Sequence, residues 1–288
     1  VITTSIEHAA VKNSFKRLRS DGFRITIIPV SEDGLVDVKT LEGAIGKDTI
    51  LISVMYANNE VGTIQPIRDL AGICHEYGIL FHSDAAQSVG KVSTRIQELG
   101  VDMLSVAGHK LYAPKGVGAL FVRNGVKLEK FMHGADHENN RRAGTENVLE
   151  IVGLGKACEI AVQDLEVNQK HMKNMRNLLH QGMLDNRLDI RLNGHPDIRL
   201  PNTLSIGFKD ILVSDLLYAM IDLAVSAGAA CHGGDVESSV VLKAMNVPDE
   251  YANGTVRFSV GKFTTSEEIN KAVKLVVKSV NQVLESNS

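Results

Sequence analysis

ILFHSDAAQ (residues 79–87) and VDMLSVAGHK (residues 101–110) are the two stretches whose reading decides the fold. Both open on apolar residues, and each closes on a polar group, Asp84 in the first and Lys110 in the second. Strands this uniformly apolar are covered on both faces, which is the habit of parallel sheets. Outward from them the pattern repeats. FRITIIPV (23–30), TILISVMYA (49–57) and GVGALFVR (116–123) read as further strands. VKTLEGAIG (38–46) and PIRDLAGICHEYG (66–78) read as helices, the second opened by Pro66 and closed by Gly78. Strands alternating with helices predict an α/β unit with a mostly parallel sheet.

The second half reads differently. From about residue 145 one long helix is expected, running through GLGKACEIAVQDLEVNQKHMKNMRNLLHQGM to residue 183. TLSIGF (203–208) and TVRFSV (255–260) follow as strands, with LVSDLLYAMI and VESSVVLKAM as helices between them. Thr265 and Glu268 form a capping-box pattern, and Ile269, Val273, Val276 and Val280 then recur at helical spacing. The expected organisation is a large domain over residues 1–164 and a smaller α+β domain over 165–288.

The chain has 288 residues, 44% of them hydrophobic and 23% charged, a globular composition. A formal net charge of -3 gives no ground for a nucleic acid or anionic membrane partner. No apolar run reaches the roughly 20 residues a bilayer span requires. Three widely spaced cysteines, Cys74, Cys158 and Cys231, suit neither a disulfide framework nor a zinc site, so no metal is expected. Cys74 and Cys158 lie in helical stretches and read as inert buried thiols. Cys231 stands apart in SAGAACHGGD (226–235), where glycines and small residues predict a loop.

Ligands of open α/β sheets sit beyond the carboxyl ends of the strands. Asp84 and Lys110 are both placed there. Two such residues alone can be a plain ion pair. They are also the pair that pyridoxal phosphate chemistry needs: an amine to join the cofactor aldehyde and a carboxylate to keep the pyridine nitrogen protonated.

Seven fragments in order choose between these readings: IEHAAV, YANNEVG, SDAAQSVGK, AGHKLYAPKGVGAL, RRAGTEN, GAACH and TVRFSVGKFTT. Together they resemble the cysteine desulfurase and selenocysteine lyase family. These are fold-type I pyridoxal phosphate enzymes of the class V aminotransferase group. The resemblance implies that Lys110 is the Schiff-base lysine and that Asp84 meets the pyridine nitrogen. It further implies that His8 stacks on the ring, Gln87 bonds the ring oxygen, and Asn59 lies beside ring and substrate. His109 would sit near the phosphate and help move protons. Thr145 would reach the phosphate bound by a second subunit, which implies a homodimer with shared sites. Arg257 would grip the substrate carboxylate, and Cys231 would attack the substrate sulfur or selenium as a thiolate. Without the resemblance, His8 reads as a solvated or helix-capping residue, Asn59 as a turn, Thr145 as a helix N-cap and Arg257 as a surface charge.

The implied activity is conversion of L-cysteine to L-alanine, with sulfur carried on Cys231 toward an acceptor protein and iron–sulfur cluster assembly. L-selenocysteine is the alternative substrate, toward which GAACH and Ala107 lean. An ordinary class V aminotransferase is a second enzymatic alternative. The family's Gly-Thr-rich phosphate turn lies upstream of IEHAAV, and residues 1–7 cannot supply it. The reading is therefore an N-terminally truncated large domain, with a non-catalytic, partner-binding form as the remaining alternative. HGADHENN (133–140) also replaces a more glycine-rich turn of the family. The expected compartment is the cytoplasm, or a mitochondrion or plastid given a targeting segment upstream.

Overall fold

The computed structural model describes residues 1–228 and 239–286. The first half runs β1 (Ile2–Thr4), α1 (Ala9–Ser20), β2 (Thr26–Ile28), α2 (Val38–Gly43), β3 (Leu51–Ser53) and α3 (Ile67–Glu76). It continues with β4 (Leu80–Asp84), α4 (Ile96–Leu99), β5 (Met103–Ala107), a 3₁₀ turn over Gly108–Lys110, and β6 (Gly118–Val122). The second half holds α5 (His137–Asn140), α6 (Val148–Gln163), α7 (Leu165–Asp185), β7 (Ile190–Asn193), β8 (Thr203–Phe208) and α8 (Val213–Ala219). After it come β9 (Ser226–Ala227), α9 (Val240–Ala244), α10 (Asp249–Ala252), β10 (Thr255–Ser259) and α11 (Ser266–Ser286).

Six strands form the first sheet in the order β2-β1-β3-β4-β5-β6. The first five are parallel, with Ile52 opposite Phe81 and Asp84 opposite Ser105. Only β6 is antiparallel, pairing Ala107 with Gly118. The connection explains it: residues 108–117 are too few for a parallel crossover, which takes about a dozen or more. Ile2, Ile52, Val54, Phe81 and Leu104 share a core with Leu41 of α2 and with Leu70 and Cys74 of α3. Burial there pushes the Cys74 thiol up to about 12, as suits an inert small hydrophobe.

The second sheet is antiparallel, in the order β7-β8-β10-β9. Leu204, Ile206 and Phe208 of β8 and Val256 and Phe258 of β10 turn one face onto α7 and α11. The capping box opens α11 as read from the sequence. Thr265 N–H donates to Glu268 Oε2 at 2.8 Å, and Glu268 N–H donates to Thr265 Oγ1 at 3.2 Å.

The single long helix expected from about residue 145 to 183 is in fact two, divided at Asp164. The break lets the chain change partners. Leu154 and Ala157 of α6 pack with Leu111, whereas Met172, Leu179 and Met183 of α7 belong to the second core. A third cluster joins the halves: Ile6, Met55 and Val61 against Val241, Leu242, Met245 and Val247.

Candidate active site

Strand alternation builds the floor of the site. In β4, Phe81 faces the core, so His82 and Asp84 face the other way. Ser53 of β3 and Ser105 of β5 join them on that face, beneath Ala10, Val11, Ser14 and Phe15 of α1. The space between is a cavity of about 750 Å³. His8, Asn59, Asp84, Gln87, His109, Lys110 and Arg257 all line it. Seven of the nine site residues expected from the sequence thus converge from five separate segments.

His82 lies across the floor, 2.8 Å from Ser53 Oγ through Nδ1 and 2.9 Å from Ser105 Oγ through Nε2. Burial lowers its affinity for a proton, with Asp84 opposing weakly. A neutral imidazole between two hydroxyls satisfies every partner. Sequence reading passed over His82, although its spacing of two from Asp84 in a strand placed it on the same face.

Asp84 uses Oδ1 to accept the Ala86 N–H at 2.9 Å. Among the described residues its Oδ2 meets no donor, and Asp84 and Lys110 form no ion pair. The plain ion-pair reading therefore fails, and a carboxylate oxygen stays free to accept a proton-bearing ring nitrogen. His8 does cap α1, through Nδ1 accepting the Ala10 N–H at 3.2 Å, and the bond fixes its ring at the cavity edge.

Lys110 ends its 3₁₀ turn because the turn is clamped. Gly108 N–H donates to Val117 O at 3.0 Å, while Leu111 and Ala113 N–H both return to Gly108 O. A Cβ at Gly108 would stand 2.7 Å from Val117 O, so only glycine fits. Gly108→Ala is expected to cost about 1–3 kcal/mol and to displace Lys110. Thermal unfolding together with borohydride trapping at Lys110 checks both effects.

Lys91 supports the same turn, donating from Nζ to Lys110 O at 3.2 Å. Desolvation pushes its amine down to about 8, and the charge of Lys110 adds to this. Its carbonyl accepts Gln169 Nε2 of α7 at 2.7 Å, tying the turn to the second half. A second cavity of about 390 Å³ opens here, sharing Asn59, Gln87, His109, Lys110 and Arg257 with the first. It is lined by Lys91 and Lys262 but by no Asp or Glu.

Arg257 sits on β10 between the core residues Val256 and Phe258, so alternation turns it toward the first half. It donates to Asn59 O at 2.9 Å and to Ser226 Oγ at 3.3 Å, and its buried Nε has no partner. It is not a surface charge. Burial raises the affinity of the adjacent Glu60 for a proton, while Ser239, hydrogen-bonded to it, and Arg257 lower it. Thr145 is exposed and lies outside both cavities, and the N-cap of α6 is Asn147 instead. Cys231 lies outside the described residues; the chain flanking 229–238 leaves at Ser226–Ala227 and resumes at Ser239, both tied to the Arg257–Glu60 group.

The aminotransferase class-V family profile matches residues 1–272. Cysteine desulfurase IscS of Dictyoglomus turgidum is 43% identical over 286 residues, 98% of this chain and 72% of that protein. The mitochondrial cysteine desulfurase of Arabidopsis thaliana is 41% identical, over 99% of this chain and 63% of its own length. A solved NifS-like protein superposes with a TM-score of 0.90 at 37% identity, covering 98% of this chain and 74% of that one. With a parallel sheet, a lysine and an aspartate at its strand ends, and these matches, the chain belongs to the class-V aminotransferase family and, within it, to the cysteine desulfurases.

Proposed function

We propose that this chain is a pyridoxal phosphate-dependent cysteine desulfurase, converting L-cysteine to L-alanine and passing sulfur to a Cys231 persulfide. The observation that carries the reading is the gathering of Lys110, Asp84, Gln87, His8, His109, Asn59 and Arg257 around one cavity. The donor set suits the cofactor: an unpaired carboxylate oxygen, an amide, two imidazoles and an amine without a carboxylate partner. When bound, pyridoxal phosphate supplies an aldehyde for the amine and a ring that withdraws electrons from the substrate α-carbon.

Asp84 would hold the ring nitrogen through Oδ2, Gln87 the ring oxygen, and His8 one ring face. His109 and the Gly108–Lys110 turn would stand toward the phosphate, and Thr145 would reach it from the second subunit of a homodimer. Lys110 would hold and return the proton at the α-carbon as a general acid–base. Arg257 and Asn59 orient the substrate carboxylate. The Cys231 thiolate takes the sulfur atom, so that cysteine and one thiol become alanine and one persulfide. An acceptor protein then removes the sulfur toward iron–sulfur assembly. The division of labour is a cofactor unit over 1–164 and a cysteine-bearing unit over 165–288. Among the described residues no helix is long and apolar enough to cross a membrane. We place the enzyme in the cytoplasm, with the mitochondrial relative as the model for an organelle.

The test is alanine release from L-cysteine by cofactor-loaded protein, with L-selenocysteine in parallel. Alanine and a persulfide mapped to Cys231 are the expected products. A keto acid product would point to an aminotransferase, and a preference for selenium by several orders would point to a lyase. Full desulfuration by Cys231→Ala would remove the persulfide step.

A further inference from the structure

Glu7 is a buried carboxyl that none of the roles above uses. It is 2% exposed and stands between β1 and His8. Its Oε1 accepts two hydrogen bonds, from Thr4 Oγ1 at 2.7 Å and from Met55 N–H at 2.9 Å. Its Oε2 is buried and has no partner. That asymmetry bears on its charge. An ionised carboxylate needs donors at both oxygens, and a charged oxygen left bare costs more than a neutral hydroxyl in the same place. No Lys or Arg pairs with it among the described residues. The ionisable groups that act on it are Asp84 of β4, which opposes its charge, and Lys12 of α1, which favours it weakly. The Thr4 bond closes the β1–α1 corner on itself, the Met55 bond ties that corner to the chain just past β3, and the same corner carries His8.

We propose that Glu7 is a positioning residue that works as a neutral carboxylic acid, holding the corner that carries His8 against the end of β3. Desolvation, the largest influence on it, agrees, raising Glu7 to about 7. The direction of the linkage follows. A carboxyl raised on folding gives its full stabilisation below its ordinary value of 4.5 and loses it as pH climbs through about 7. The corner is therefore tightest in mild acid and loosens as Glu7 ionises.

The inference extends the cofactor reading only through His8, so its first test uses cofactor-free protein. Glu7→Gln copies the neutral acid without an ionisable proton. Between pH 5 and 8 the melting temperature of the unsubstituted chain should fall relative to that of the variant by roughly 5 °C. Parallel curves overturn the proposal. Should the variant fail to fold, infrared difference spectra of the unsubstituted chain replace it. A protonated-carboxyl band lost near pH 7 supports the assignment, and its absence at pH 6 overturns it. In cofactor-loaded protein, retention through dialysis should decline above pH 7 in the unsubstituted chain and hold in Glu7→Gln. Equal decline in both removes the positioning role while leaving the cofactor site itself unaffected.

Discussion

Lys110→Ala is expected to reduce alanine release from L-cysteine by about 10⁴-fold, the upper end of what one acid–base group contributes. The methyl side chain offers neither an amine for the cofactor aldehyde nor a carrier for the α-proton. The turn itself survives, because its clamp is made by the backbone of Gly108 and Val117. Melting temperature should therefore stay close to the parent value while the visible absorbance of the loaded protein disappears. Lys110→Arg keeps the charge but cannot shed a proton, and it should be equally inactive. Alanine release within tenfold of the parent rate, measured in steady state, would overturn the role of this amine.

Arg257→Ala should act on binding, raising KM for L-cysteine by about 10²- to 10³-fold, the range for truncating one partner of a buried charged pair. The guanidinium is already aimed by Asn59 O and Ser226 Oγ, so little ordering remains when a carboxylate arrives. Removing it also strips Glu60 of its cationic neighbour. Arg257→Lys should recover little, since an ammonium cannot make the paired contacts of the planar fork. Steady-state kinetics separate KM from kcat, and dialysis shows whether the cofactor is retained. A KM within threefold of the parent would show that the substrate carboxylate binds elsewhere.

How much of this was visible in the sequence depended on range. Strands β4 and β5 announced themselves by the apolar residues that open ILFHSDAAQ and VDMLSVAGHK, of which Phe81 and Leu104 enter the first core. The residues at their ends were found for the same reason, since a strand's carboxyl edge is fixed once the strand is. The two edge strands of the second sheet were not legible. Strand β7 is IRLN and β9 only Ser226–Ala227, and both exist because β8 and β10 offer edges to pair with. The break at Asp164 left no local mark, being set by which core each half of the helix meets. Lys91 and Glu7 carry no signal of their own. What matters about each is a partner far along the chain, Gln169 for the one and Met55 for the other.

The third cluster, where Ile6, Met55 and Val61 meet Val241, Leu242 and Met245, has a thermodynamic consequence. Loss of either half exposes the apolar surface that Ile6, Met55 and Val61 share with α9, so the stabilities of the two halves are linked. Agreement between calorimetric and van't Hoff unfolding enthalpies is the expected sign of that linkage.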